Sequence, residues 1–129
     1  MIAFVEDRLP AEPLAVPLAR HSLAMALLTD VPDAVLDTVL LLANEAVSTA
    51  LRATTRPWHL RVDLDDDQVQ VMVRYEGAAG GDSSLDLLRD ALLDELSAAW
   101  GIEVSADGET TTIWFDIELA PEASPAPPT

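Results

Sequence analysis

Hydrophobic residues recur with two different periods along this chain, and the change of period predicts where helices and strands lie. Residues 13–28 repeat leucine and alanine at helical spacing, with Pro17 in the first turn. A second helical pattern starts at Asp33, with Asp30 as the expected N-cap, and should end near Ala53. Its expected core face consists of Leu36, Leu40, Ala43, Val47 and Ala50.

Period-two alternation begins after the second helix and predicts a β-hairpin. Leucine or valine occupies every second position of residues 59–64 and 68–74, and the aspartates 65–67 form the connecting turn. A third helix should follow, opened by a capping box of Ser83 and Asp86. Its expected core face consists of Leu85, Leu88, Leu92 and Leu96.

A second hairpin is predicted over residues 101–119, because Asp107-Gly108 is a dipeptide typical of tight hairpin turns. In its last strand Trp114 alternates with Ile113 and Phe115. We therefore expect the Trp114 ring to point away from the face that those two residues cover, towards an interface.

With a short strand expected ahead of the first helix, this order of elements predicts an α+β fold, a two-layer α/β sandwich whose mixed or antiparallel sheet is covered on one face by three helices. A single domain over residues 1–119 would contain them, and the Pro/Ala-rich residues 120–129 are expected to form a disordered tail. The core should bury five side chains against one another: Leu40, Val47, Val71, Leu92 and Phe115.

Charge and composition narrow the classes of partner. The 129 residues include 23 aspartates and glutamates and 7 arginines but no lysine, which gives a net charge of -16. This charge disfavours nucleic acid and anionic membranes, and favours a protein partner with a basic patch. The absence of cysteine excludes disulfides and thiolate chemistry and fits a cytoplasmic location. We expect no membrane-spanning segment and no metal site.

The second helix carries polar residues beside its core face, and two interpretations fit them. Glu45, Ser48, Thr49 and Arg52 could form a solvated strip in which Ser48 contacts Arg52 one turn away. Alternatively, the same side chains could line the wall of a ligand pocket.

Several stretches, taken in order, resemble the GHKL ATPase superfamily and, within it, the small bacterial anti-sigma factor serine kinases. The resemblance covers roughly residues 8–119 and is carried by LPAEPLAVPLAR, LLLANEAVSTALRA, LRVDLDDDQVQVMVRYEG, AAWGIEV and TTIWFDIEL. It implies the two-layer fold and a nucleotide pocket between the second helix and the third strand.

The motif positions of that family are altered in this chain. Glu45 matches the family's catalytic acid, but Thr49 stands where the family has the asparagine that binds Mg²⁺. Tyr75 stands where an aspartate binds adenine, Glu76 comes one residue late, and Gly77 could match the family glycine. The expected Gly-x-Gly phosphate turn would fall near residues 87–89, where no glycine occurs.

The resemblance therefore implies a regulatory, protein-binding domain in which nucleotide binding is weakened or lost, rather than an enzyme. Thr49, Tyr75, Glu76 and Gly77 would be a relic nucleotide pocket, with Glu45 as a candidate catalytic residue. We expect no cofactor; Mg-ATP would bind only if the site survives, with Thr49 as a metal ligand. We also expect Tyr75 to lean towards the second helix and close the pocket.

The family implies a sigma factor or an anti-sigma antagonist as protein partner, a homodimer and a cytoplasmic location. One alternative is an active ATP-dependent serine/threonine kinase and anti-sigma factor. A second alternative is a structural or orphan interaction domain without nucleotide or sigma factor.

Overall fold

The computed structural model describes residues 3–77 and 84–119. These residues form five strands and three helices in the expected order. The elements are β1 (Ala3–Leu9), α1 (Ala15–Leu27), α2 (Asp33–Ala53), β2 (Trp58–Leu64), β3 (Gln68–Glu76), α3 (Ser84–Leu96), β4 (Ala99–Val104) and β5 (Thr110–Glu118). Ser83 of the expected capping box and the expected tail at residues 120–129 lie outside the described residues.

The strands make one open sheet in the order β1-β2-β3-β5-β4, and all neighbours in it are antiparallel. The expectation of an α+β, two-layer fold is thus confirmed, and of the two expected kinds of sheet the antiparallel one is found. Alternate residues of β2, β3 and β5 are buried beneath the helices, while those between them lie on the opposite face, which we call the open face.

The core lies between the sheet and the helices. The inward-facing residues of β2 are Trp58, Leu60, Val62 and Leu64, and α2 covers the sheet with buried residues that include Leu36, Val39, Ala43, Val47 and Ala50. Val47, Val71 and Phe115 are buried as expected. Leu40 and Leu92 are only half-buried, although both pack against the core.

The start of α2 differs from the expectation. Its first residue is Asp33, and the N-cap position belongs to Pro32, which makes no side-chain cap hydrogen bond. Asp30 is therefore not the cap. Pro32 has a φ of -62°, close to the value its ring imposes, and this fixed dihedral sets the direction in which the chain enters the helix.

The face that α3 buries also differs from the expectation. Leu93 is fully buried, whereas Leu88 and Leu96 are 50% and 37% exposed. Among residues 86–96 the other buried positions are Asp86 and Arg89, three residues apart, and the side chain of Leu85 lies outside the described ones. Leucines occur all around this helix, so apolar spacing alone does not fix its orientation, and charged residues are buried here because they are paired.

The α2 helix bears on the expectation that no segment spans a membrane. By length and composition alone, this 21-residue helix is apolar enough to do so, because an 18-residue window within it has a mean hydropathy of 1.5. In the structure, however, its buried residues face β3, α1 and α3, as in the core helix of a globular fold.

Trp114 lies on the open face, as its alternation with Ile113 and Phe115 predicts. Ile113 and Phe115 are fully buried on the helical face. The indole of Trp114 covers Gly101 on β4, where a Cβ atom would lie only 2.7 Å from Nε1. Glycine at position 101 thus allows the ring to lie flat on the neighbouring strand.

Candidate functional site

Two of the expected pocket residues meet where β3, α2 and α3 come together. Alternation along β3 turns Tyr75 towards the helices, and only 2% of it is exposed. Thr49 on α2 is equally buried. The strip on α2 is therefore not simply a solvated edge, because Thr49 lies inside the fold while Glu45 and Ser48 are half-buried.

A network of charged side chains surrounds Thr49. Oδ1 of Asp86 on α3 accepts from Nη2 of Arg52 at 3.1 Å and from Nη1 of Arg89 at 3.2 Å. The Nε of Arg89 donates to Asp90 at 2.9 Å. The Arg89 side chain is 5% exposed and that of Asp86 is 9% exposed. Two carboxylates thus balance two guanidinium groups, which is the condition for burying such charges.

The Thr49 hydroxyl is fully engaged. Oγ1 donates to the backbone carbonyl of Glu45 at 3.0 Å, and accepts from Nη1 of Arg89 at 3.2 Å and, weakly, from Nη2 of Arg52 at 3.5 Å. The expected Ser48–Arg52 contact is replaced by this one. A metal ion at Oγ1 would stand beside two guanidinium groups, and their positive charge opposes Mg²⁺ binding.

The Tyr75 phenol contacts the sheet as well as the helical layer. Burial raises the pKa of Tyr75 above its usual 10.0, while a hydrogen bond with Thr111 on β5 lowers it in part, as does the charge of Arg89. Tyr75 does lie on the helical face, as expected. The hydrogen-bond partner identified here, however, is Thr111, which the sequence pattern did not single out.

Glu76 lies apart from this cluster, and Gly77 joins it only through its backbone carbonyl. Glu76 lies on the open face and pairs at 3.2 Å with Arg56, with most of its side chain in water. Gly77 has a φ of 141°, its N–H donates to Glu109 at 2.9 Å, and its carbonyl accepts from the Thr111 hydroxyl at 2.7 Å. A Cβ here would lie 2.8 Å from the carbonyl oxygen of Ala53. Gly77 therefore lets β3 leave the sheet close to the end of α2.

The expected phosphate turn at residues 87–89 lies inside α3, which begins at Ser84. Those residues are helical, so no turn of backbone N–H groups exists there to hold a phosphate. Whether the pocket is closed also depends on residues 78–83, which lie outside the described residues, and this part of the expectation stays a prediction.

Asp86, Arg89 and Thr111 are the site residues that sequence reasoning missed. The three-residue spacing of Asp86 and Arg89 is typical of an ion pair on one helical face, and this spacing could have indicated their contact from the sequence. Within residues 3–77 and 84–119 no group of three or more metal-ligating side chains is found. Chemically, the cluster is a neutralised set of donors and acceptors that bond to one another.

The chain matches no protein-family model and no curated protein.

Proposed function

We propose that this chain is a regulatory, protein-binding domain of the anti-sigma factor serine kinase type, in which nucleotide binding is weakened or lost. The motif resemblance and the order of elements, with all three helices on one face of an antiparallel sheet, support this proposal. The corresponding location is the cytoplasm, with which a small α+β fold does not conflict.

The hydrogen bond from Arg89 to Thr49 carries the proposal. At the position where the resemblance implies a Mg²⁺ ligand, the hydroxyl is held by a guanidinium group instead. At the position where it implies an adenine-binding carboxylate, the buried Tyr75 is present. Thr49 and Tyr75, which the resemblance would set against a nucleotide, are engaged by Arg89 and Thr111 of this chain instead, which supports a binding role over a catalytic one.

The outer surface of the helical layer supports a protein partner. Four apolar side chains on and beside α1 form one exposed stripe: Leu14, Leu18, Met25 and Leu28. Their spacing brings them to one side of the helix, with the exposed His21 between Leu18 and Met25, and apolar side chains grouped in this way occur at protein-binding surfaces. We propose a sigma factor or an anti-sigma antagonist as partner, with a homodimer as the form of the free protein.

A nucleotide titration tests the first half of the proposal. Wild-type protein is titrated with millimolar Mg-ATP by calorimetry and thermal unfolding, and no resolvable response is expected. A nucleotide present at about one hundred times its Kd would stabilise the fold by about 2.7 kcal/mol. A rise of several degrees in Tm that arises from the pocket beside α2 would contradict the proposal and favour the active-kinase alternative.

Binding to purified partners tests the second half. Sigma factors and anti-sigma antagonists of the source organism are immobilised one at a time, and wild-type protein is compared with Leu18→Glu and Leu41→Glu. Leu41 is a similarly exposed leucine on α2, outside the α1 stripe, and so provides the matched control. We expect one partner to bind the wild type and the control but not Leu18→Glu. Absence of binding to every protein of both classes would favour the orphan-domain alternative.

A further inference from the structure

The open face of the sheet carries a row of basic side chains. Arg8 on β1 lies directly opposite His59 on β2, and His59 lies directly opposite Arg74 on β3. Side chains opposite each other in neighbouring antiparallel strands have Cβ atoms about 4.5–5.5 Å apart. Two guanidinium groups therefore flank one imidazole on the same face, in a protein whose net charge is -16.

Most of the other arginines form ion pairs, whereas the two arginines in this row form none with the described residues. Four of the seven arginines pair with carboxylates in the described part of the chain: Arg52, Arg56, Arg61 and Arg89. Arg8 and Arg74 form no ion pair with any described residue. In the next row of the same face, Arg61 bonds to Asp63 at 3.1 Å and lies opposite Glu6. Carboxylates thus compensate the charge of Arg61 in the neighbouring row, whereas no described carboxylate pairs with Arg8 or Arg74.

A groove of about 550 Å³ lies over this row. Its walls include Arg8, His59 and Arg74, together with the hydroxyl-bearing Thr110 and Thr112. This volume falls within the range of roughly 300–1,000 Å³ that is usual for small-molecule sites. The groove thus combines unpaired guanidinium groups, which bind oxyanions through paired N–H donors, with hydroxyl groups that could complete the hydrogen bonding.

We propose that Arg8, His59 and Arg74 form a binding site for a small ligand that carries two or more phosphate or carboxylate groups. Arg8 and Arg74 lie two strands apart on the same face, so their positive charges repel each other, and a bound anion would remove that repulsion. Nucleic acid is disfavoured as the occupant by the charge of the whole molecule. The groove also contains two acidic residues: Glu76, which Arg56 neutralises, and Glu103 on the edge strand β4. The negative charge of Glu103 would repel an anion bound at the β4 side of the groove.

Calorimetric titration at low ionic strength tests the site, with inorganic pyrophosphate as the phosphate probe and citrate as the carboxylate probe. We expect at least one probe to bind the wild type, and Arg74→Gln to weaken that binding by about tenfold, because a charge-assisted hydrogen bond is lost. Arg20→Gln is the matched control, since Arg20 is an exposed arginine on α1, away from the groove, and forms no ion pair with a described residue. Binding of neither probe, or equal loss in Arg74→Gln and Arg20→Gln, would overturn the proposal.

One further variant and one further measurement separate loss of binding from a folding defect. Glu103→Gln removes a negative charge from the groove and should strengthen binding of the same probe severalfold at low ionic strength. Without any ligand, Arg74→Gln should unfold at the same temperature as the wild type or higher, because it relieves repulsion. Weaker binding in Glu103→Gln, or a marked fall in the Tm of Arg74→Gln, would contradict the arrangement of charges proposed here.

ATP also carries phosphate groups, so Arg74→Gln and Tyr75→Phe are included in the nucleotide titration. A response lost in Arg74→Gln and kept in Tyr75→Phe would assign it to the groove and support the anion site. A response kept in Arg74→Gln would assign it to the pocket beside α2, and would contradict the proposed function instead.

Discussion

Arg89 of α3 donates a hydrogen bond to Thr49 of α2 at 3.2 Å, and this bond joins the two helices through a buried charge. Arg89→Ala would leave the nearly buried Asp86 carboxylate with Arg52 as its remaining identified cation. We expect the free energy of unfolding to fall by about 3–5 kcal/mol, the usual cost of breaking a buried ion pair from one side.

Urea denaturation of Arg89→Ala and Arg56→Ala side by side checks this expectation. Arg56 pairs with Glu76 on the surface, with 70% of its side chain exposed, so its loss should change the unfolding free energy by only about 0–1 kcal/mol. Similar losses in the two variants would show that the Arg89 network does not stabilise the fold.

The orientation of α3 is checked by a pair of leucine substitutions. Leu93 is fully buried and Leu88 is half exposed. Leu93→Ala should cost about 2–5 kcal/mol because it opens a cavity in the core, whereas Leu88→Ala should cost far less. Chemical denaturation of both variants measures the difference. A larger loss in Leu88→Ala would restore the orientation that the leucine spacing first indicated.

Tyr75 should make the protein sensitive to alkaline pH. Burial raises the pKa of its phenol above 10.0, so the unfolded chain loses this proton at a lower pH than the folded chain does. The stability contributed by the neutral phenol is complete below the unfolded pKa, and is lost as pH rises from there through the folded pKa.

Because Tyr75 is the only tyrosine in the chain, phenolate absorbance reports its titration directly. We expect a midpoint above that of a free tyrosine in the folded protein. In Tyr75→Phe, the free energy of unfolding should not show the loss that begins in the wild type as pH rises past the pKa of tyrosine in the unfolded chain. A normal midpoint in the folded protein would show that the phenol is open to water.

Gly77 should tolerate no side chain, for two separate reasons. Its φ of 141° is unfavourable for other residues, and an added Cβ would clash with the Ala53 carbonyl oxygen at 2.8 Å. Gly108 also has a positive φ, 77°, but open space surrounds its Cα. Gly108→Ala should cost about 1–2 kcal/mol from backbone strain alone, and Gly77→Ala clearly more. Equal melting temperatures in the two variants would mean that β3 moves away from α2 at no cost.

Much of the fold could be predicted because most of the signals are local. The alternation in β2 and β3, the turn at Asp107-Gly108 and the end of α2 at Ala53 each depend on residues that are close in sequence. The pairings of β1 with β2 and of β3 with β5 could not be predicted in this way, because each joins strands that are far apart in sequence.

The candidate site was predicted only in part, for a physical reason. Thr49 and Tyr75 lie on periodic elements, so their common burial follows from helical and strand spacing. Asp86 and Arg89 are charged residues that are nevertheless buried: they pair with each other within α3, and Asp86 also pairs with Arg52 on a different helix. A partner from another element leaves no mark on the local hydrophobic pattern.

The place of β1 at the edge of the sheet has a consequence for how the chain folds. Among the described strands its sole neighbour is β2, and both α1 and α2 lie between them in sequence, whereas β2 and β3 are joined by a short turn. Closing a long loop costs more chain entropy than closing a short one, and contacts distant in sequence slow folding. The β2–β3 hairpin would thus form early, and β1 would add to it only after the two helices have packed. Amide hydrogens in the hydrogen bonds between β1 and β2 would then exchange with solvent faster than those in the hydrogen bonds between β3 and β5.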